Sequence, residues 1–238
     1  MIFNKKHVGL VVAIEVESVL EKYGKPVKSE KIDAYTVLTY KIEKNTLLHV
    51  INCGPGEISA AAGTQFLISR LNCSLIVNFG VVGGLTKEMS EIKTCVVEKI
   101  VHYDFNTTAV HKEYSIGQYN GFKDEFIPAT QGLVKTACDI DPSLKKIVIA
   151  SGDTFVGTAK EKSELHTKFK ADVCDMESAG VALTCIKNNI PFLMIKCVSD
   201  GVNANKDVFL ENFTKSANIC FDITSKIIHN IVHNTTIG

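Results

Sequence analysis

The feature that most constrains this chain is the alternation of short, predominantly apolar runs with segments of helical period. Val8–Ile14, Leu75–Phe79, Lys146–Ala150 and Phe192–Val198 read as strands apolar on both faces. Such strands need cover on both sides, and the intervening segments supply it. Glu15–Tyr23 reads as a helix closed by Gly24 and Pro26. Glu57–Leu71 is a small-residue-rich helix, and Thr130–Cys138, Thr158–Phe169 and Glu177–Asn188 carry helical patterns. A long terminal helix is expected over Asp207–Val232. Further strands are expected at Thr94–Val101 and Asp172–Cys174, with a Tyr35–Ile42/Thr46–Asn52 hairpin turning at Glu43–Asn45. The stretches from Gly80 to Gly84 and from His102 to Phe126 read as loops. The expectation is one α/β domain over residues 1–238, a mixed, mostly parallel central sheet flanked by helices.

Composition narrows the function. With 45% hydrophobic and 22% charged residues the chain is far from a disordered composition. Its 26 basic residues balance 26 acidic ones, which argues against a general nucleic-acid binder. Among those cations Arg70 is the only arginine, so anion recognition must largely do without the bidentate guanidinium. The eight cysteines form no CxxC pair and mostly sit in apolar surroundings, as reduced, buried thiols do. No spacing of His, Cys and carboxylates suggests a metal site, and no cofactor is expected. The seven-residue run from Val8 is neither a signal peptide nor a span of the roughly 20 residues a bilayer requires. A cytoplasmic location without membrane contact follows as the expectation.

Ligands of α/β sheets bind beyond the carboxyl ends of the strands. There this sequence collects carboxylates and glycines: Glu15 and Glu17, Gly80-Val81-Val82-Gly83-Gly84, Ser151-Gly152-Asp153, Asp175-Met176-Glu177 and Ser199-Asp200. No GxGxxG, GxxxxGK[ST] or GxSxG signature occurs. Taken singly, each carboxylate has an ordinary structural explanation: Glu15 and Glu177 suit a first helical turn, and Asp200 suits a turn before Gly201. Their recurrence at successive strand ends points to acid/base work on a small molecule.

These segments, in this order, resemble the 5′-methylthioadenosine/S-adenosylhomocysteine nucleosidases of the purine nucleoside phosphorylase and hydrolase superfamily. The anchors are Ala13-Ile14-Glu15-Val16-Glu17, Gly80–Leu85, Ser151–Val156, Asp175–Gly180 and Lys196–Asp200. The resemblance implies a nucleoside phosphorylase-like three-layer sandwich. It also implies hydrolysis of the N-ribosidic bond of methylthioadenosine, S-adenosylhomocysteine and 5′-deoxyadenosine. In that scheme Asp200, oriented by Ser199, protonates the departing adenine and Glu17 activates water. Glu177 holds the ribose hydroxyls, Met176 packs on the sugar, Phe155 stacks on the base and the Val156 backbone reads its edge. Phe213 closes the pocket, and Pro55 and Val110 approach the 5′ group, in this family often across a homodimer interface. Two positions depart from the family pattern near the water: Val81 replaces a small hydroxyl residue, and Lys196 stands where arginine is usual. Two other functions compete. A phosphate-dependent phosphorylase would want arginines and hydroxyls, which the lone arginine and Val81 disfavour. A nucleoside-binding homologue with weakened catalysis would not need Glu17, Glu177 and Asp200 together.

Overall fold

The computed structural model describes residues 7–43, 46–91, 93–203 and 206–234. Ten strands form one mixed sheet. β1 (His7–Val12) lies between β4 (Thr46–Asn52) and β5 (Leu75–Gly84), parallel to both. β3 (Tyr35–Glu43) and β2 (Lys28–Ile32) extend the sheet antiparallel beyond β4. The β3–β4 turn at residues 44–45 lies outside the described residues. On the other side, β10 (Phe192–Asp200) runs parallel to β5 and antiparallel to β6 (Thr94–His102). β6 pairs with β8 (Lys145–Ser151) and carries the short β7 (Phe126–Pro128) on its edge. β9 (Val173–Asp175) pairs with β8 and with the end of β5. Strands β5, β10, β6, β8 and β9 thus close on themselves, so half of the expected mixed sheet curls into a barrel. Closure removes the exposed edges that an open sheet leaves.

Helices flank the sheet in two groups. α2 (Glu57–Leu71) packs on α5 (Ser178–Lys187), while α6 (Lys206–Asn234) packs on β10 and β5 and meets α1 (Val16–Tyr23) and α3 (Gln131–Ile140). α4 (Ala159–Phe169) begins with a reciprocal capping box between Thr158 and Glu161. Every residue of β10 is buried, and the core is dominated by Val, Ile and Leu from β1, β5, β6 and β10. β2 and β7 were not legible as strands: β2 reads Lys-Ser-Glu-Lys-Ile, without apolar alternation, and β7 has three residues. Gly80–Gly84 is the end of β5 and not a loop, because β10 and β9 hydrogen-bond along it.

Candidate active site

The carboxyl ends of the parallel strands β1, β5 and β10 come together where β9 crosses the end of β5. They enclose a cavity of about 240 Å³. Seven of the expected site residues line it: Pro55, Val81, Phe155, Val156, Met176, Glu177 and Asp200. Phe155 is half exposed at the mouth. Asp200, at the last position of β10, receives a hydrogen bond on Oδ1 from its neighbour Ser199 at 2.8 Å. Ser199 itself is buried beneath the cavity wall.

Glu17 and Phe213, expected in the site, do not line the cavity, whereas Glu15 and Phe209 do. Glu17 is exposed on α1 and does not line the cavity; Glu15 does, and it is almost fully buried. The Glu15 carboxylate accepts from the Val81 N–H through Oε1 and from the Ile14 N–H through Oε2, each at 3.0 Å. A Cβ at Gly80 would stand 2.9 Å from Oε1, so the glycine there makes room for the carboxylate. The reason is geometric: Glu15 stands at the N-cap of α1, three residues past β1, where its carboxylate meets the Val81 N–H, whereas Glu17 lies in the first turn of α1 and is exposed. Phe213 likewise yields to Phe209. Phe209 lines the cavity edge-on to Phe155 at 5.5 Å, with Phe213 behind it at 5.7 Å. Val110 is 77% exposed and does not line the cavity within one chain.

Lys196 lies behind the cavity, fully buried, with its Nζ 2.8 Å from Asp175 Oδ2. Burial opposes its charge, but Asp175 and Glu177 outweigh burial and raise its pKa. Burial also pushes on Asp175, yet Lys196 and hydrogen bonds from Ser151 and Ser178 hold it below the usual carboxylate range. Glu177 accepts from the Gly56 N–H at 3.0 Å. Burial first, and Asp175 second, raise its pKa to about 7.

Glu57, which is not among the expected site residues, joins this network through Ser151. Ser151 Oγ lies 2.5 Å from Glu57 Oε1 and 2.6 Å from Asp175 Oδ1. One hydroxyl proton cannot serve two carboxylates. Burial and the nearby Asp175 raise Glu57 to about 8, so the Glu57 carboxyl donates to Ser151, Ser151 donates to Asp175, and Lys196 donates to Asp175 from the other side. Gly180 offers its N–H to Glu57 Oε2, an approach that leaves no room for a Cβ. No sequence signal marks Glu57, because a glutamate in a first helical turn is commonplace.

Among the described residues, no group of three or more His, Cys, Asp or Glu side chains is arranged to hold a metal ion. The cavity wall carries Glu15, Asp175, Glu177 and Asp200, and no lysine or arginine lines it.

A profile of the phosphorylase superfamily matches residues 8–232. The chain belongs to the phosphorylase superfamily. Within that superfamily it is 28% identical to the 5′-methylthioadenosine/S-adenosylhomocysteine nucleosidase of Staphylococcus saprophyticus, over 94% of this chain and 98% of that one. The nucleosidase of Buchnera aphidicola is also 28% identical, over 94% of this chain and 89% of its own. Two superfamily structures from Helicobacter pylori share the fold at 24% identity each. They are a nucleosidase of the same name (TM-score 0.88; 95% of this chain, 99% of that one) and a futalosine hydrolase (TM-score 0.87; 95% and 98%).

Proposed function

We propose that this chain is an N-ribosyl hydrolase. It cleaves 5′-methylthioadenosine and S-adenosylhomocysteine to adenine and a 5-thioribose product, and 5′-deoxyadenosine in the same way. The observation that carries this reading is the charge of the cavity: four carboxylates line it and no cation does. The nearby cations, Lys196 and Lys162, lie behind the wall and are taken up by Asp175 and Asp200. Such a wall repels phosphate and admits water and a neutral or zwitterionic nucleoside. It also suits a transition state in which the ribose becomes an oxocarbenium-like cation.

The residues divide the work by position. Adenine lies between Phe155 and the Val156 backbone, with its N7 toward Asp200. Proton transfer from Asp200 to N7 lets the C1′–N9 bonding electrons leave with a neutral base. Glu177 accepts hydrogen bonds from the ribose hydroxyls, and Met176 packs along the sugar. Glu15 takes the role expected of Glu17. Its carboxylate is fixed by two backbone N–H groups and keeps free lone pairs to orient water and take its proton.

Ile58 and Val110 are about four-fifths exposed, and Ile58 follows closely on the cavity residue Pro55. Their burial in a homodimer would bring Val110 toward the 5′ group of the substrate. All eight cysteines are unpaired, as suits the reducing cytoplasm. Among the described residues, no helix is long and apolar enough to cross a membrane.

The test is adenine release from methylthioadenosine in phosphate-free buffer. Release at a rate that added phosphate does not raise supports the hydrolase. Strict dependence on phosphate, or none released by folded protein, overturns it. Sedimentation at micromolar concentration tests the dimer, and a monomer there would remove Val110 from the site.

A further inference from the structure

Lys162 is the one lysine of α4 with no exposed surface, although its helix is otherwise polar. Its ammonium donates to Asp200 Oδ2 at 2.5 Å and to the Gly201 carbonyl at 2.8 Å. A buried ammonium is costly unless paired, so this placement needs a reason beyond packing. Gly83 lies against both partners: a Cβ there would stand 3.5 Å from Asp200 Oδ2 and 3.7 Å from Lys162 Cε. The Asp200 carboxyl is therefore gripped on Oδ2 by Lys162 and on Oδ1 by Ser199, while the residue still lines the cavity.

We propose that Lys162 is a positioning residue for proton donation by Asp200. The inference rests on the hydrolase reading. As the proton passes from the Asp200 carboxyl to the purine nitrogen, negative charge grows on the carboxylate left behind. The C1′–N9 electron pair leaves with the base at the same time. The Lys162 ammonium is already in place to meet that charge, which lowers the barrier without reorganisation. Lys162 does not line the cavity and reaches it only through Asp200, so its effect is confined to leaving groups that need a proton.

The experiment compares two substrates in Lys162→Met. One is methylthioadenosine. The other is a 4-nitrophenyl 5-methylthioriboside, whose phenolate departs unprotonated. For methylthioadenosine kcat is expected to fall about 100-fold with KM within about threefold, and nitrophenyl riboside cleavage is expected to hold within about threefold. In an Asp200→Asn background the same change is expected to cost nothing further in kcat. Unchanged methylthioadenosine turnover, or equal losses on both substrates, overturns the proposal. If Lys162→Met does not fold, Lys162→Gln, which keeps a neutral donor, is read by the same pair of substrates and the same outcomes. Failure of the wild-type enzyme to cleave methylthioadenosine would instead sink the hydrolase reading itself.

Discussion

Glu15 Oε1 accepts a hydrogen bond from the Val81 N–H at 3.0 Å, joining the start of α1 to the end of β5. The contact explains how a valine can occupy this place. The residue contributes its backbone, and the buried carboxylate of Glu15 faces the cavity beside it. Glu15→Gln is expected to lower kcat about 10²- to 10⁴-fold, the range for loss of a general base. Glu17→Gln is expected to stay within about twofold of wild type. Steady-state assays of adenine release compare the two, and a reversed order would restore Glu17 to the site.

Val81 removes a side-chain donor from a wall that handles water. Val81→Ser would supply one while leaving the backbone contact intact. A rise in kcat of about threefold to tenfold is expected, within what a single neutral hydrogen bond contributes. A fall would show that the apolar wall itself is needed.

Asp200→Asn keeps the shape of the donor and removes its acid. Turnover of methylthioadenosine is expected to drop at least about 10³-fold while adenine binding, followed by calorimetry, is retained. Activity near wild type would take the acid role from Asp200.

Lys196 and Asp175 form a buried pair, and breaking it strands a charge beside Glu177. Lys196→Met is expected to destabilise the fold by about 3–5 kcal/mol, measured by denaturant unfolding. A cost below about 1 kcal/mol would mean that the neighbouring carboxylates simply take up protons instead.

Glu57 and Glu177 have raised folded-state pKa values, about 8 and about 7. The folded state therefore holds protons that the unfolded chain has already lost above pH 4.5. Their contribution is full below about pH 4.5 and is lost progressively from there up to pH 7 and 8. His49, lowered to about 4 by burial and by His7, acts in the opposite sense, but only below about pH 6.5. Stability is expected to fall between pH 6.5 and 8, by up to about 1.4 kcal/mol per pH unit for each group still protonated in the fold, and to level off above pH 8. Glu57→Gln, whose amide mimics the protonated acid facing Ser151, is expected to flatten that slope. Unfolding midpoints across the pH range check this, and a parallel slope in the variant would place the proton elsewhere.

The sequence by itself determined the strands that build the site and the segments that end in it. Val8–Ile14, Leu75–Phe79 and Phe192–Val198 are apolar because both their faces are covered, and local pattern reports that burial directly. Asp200, Glu177 and Phe155 were legible because they sit at the ends of such strands or in short motifs beside them. The tertiary structure decided matters of direction and partnership. Glu15 and Glu17 differ by two positions, and only the junction of β1 with α1 fixes which one faces the cavity. Phe209 and Phe213 are one helical turn apart on α6, and the docking of that helix selects the first. Glu57 is 94 residues from Ser151, and Lys162 is 38 from Asp200. A glutamate in a first turn and a lysine in a polar helix look solvated in sequence. Only long-range packing buries them, and burial gives them partners that local pattern does not encode.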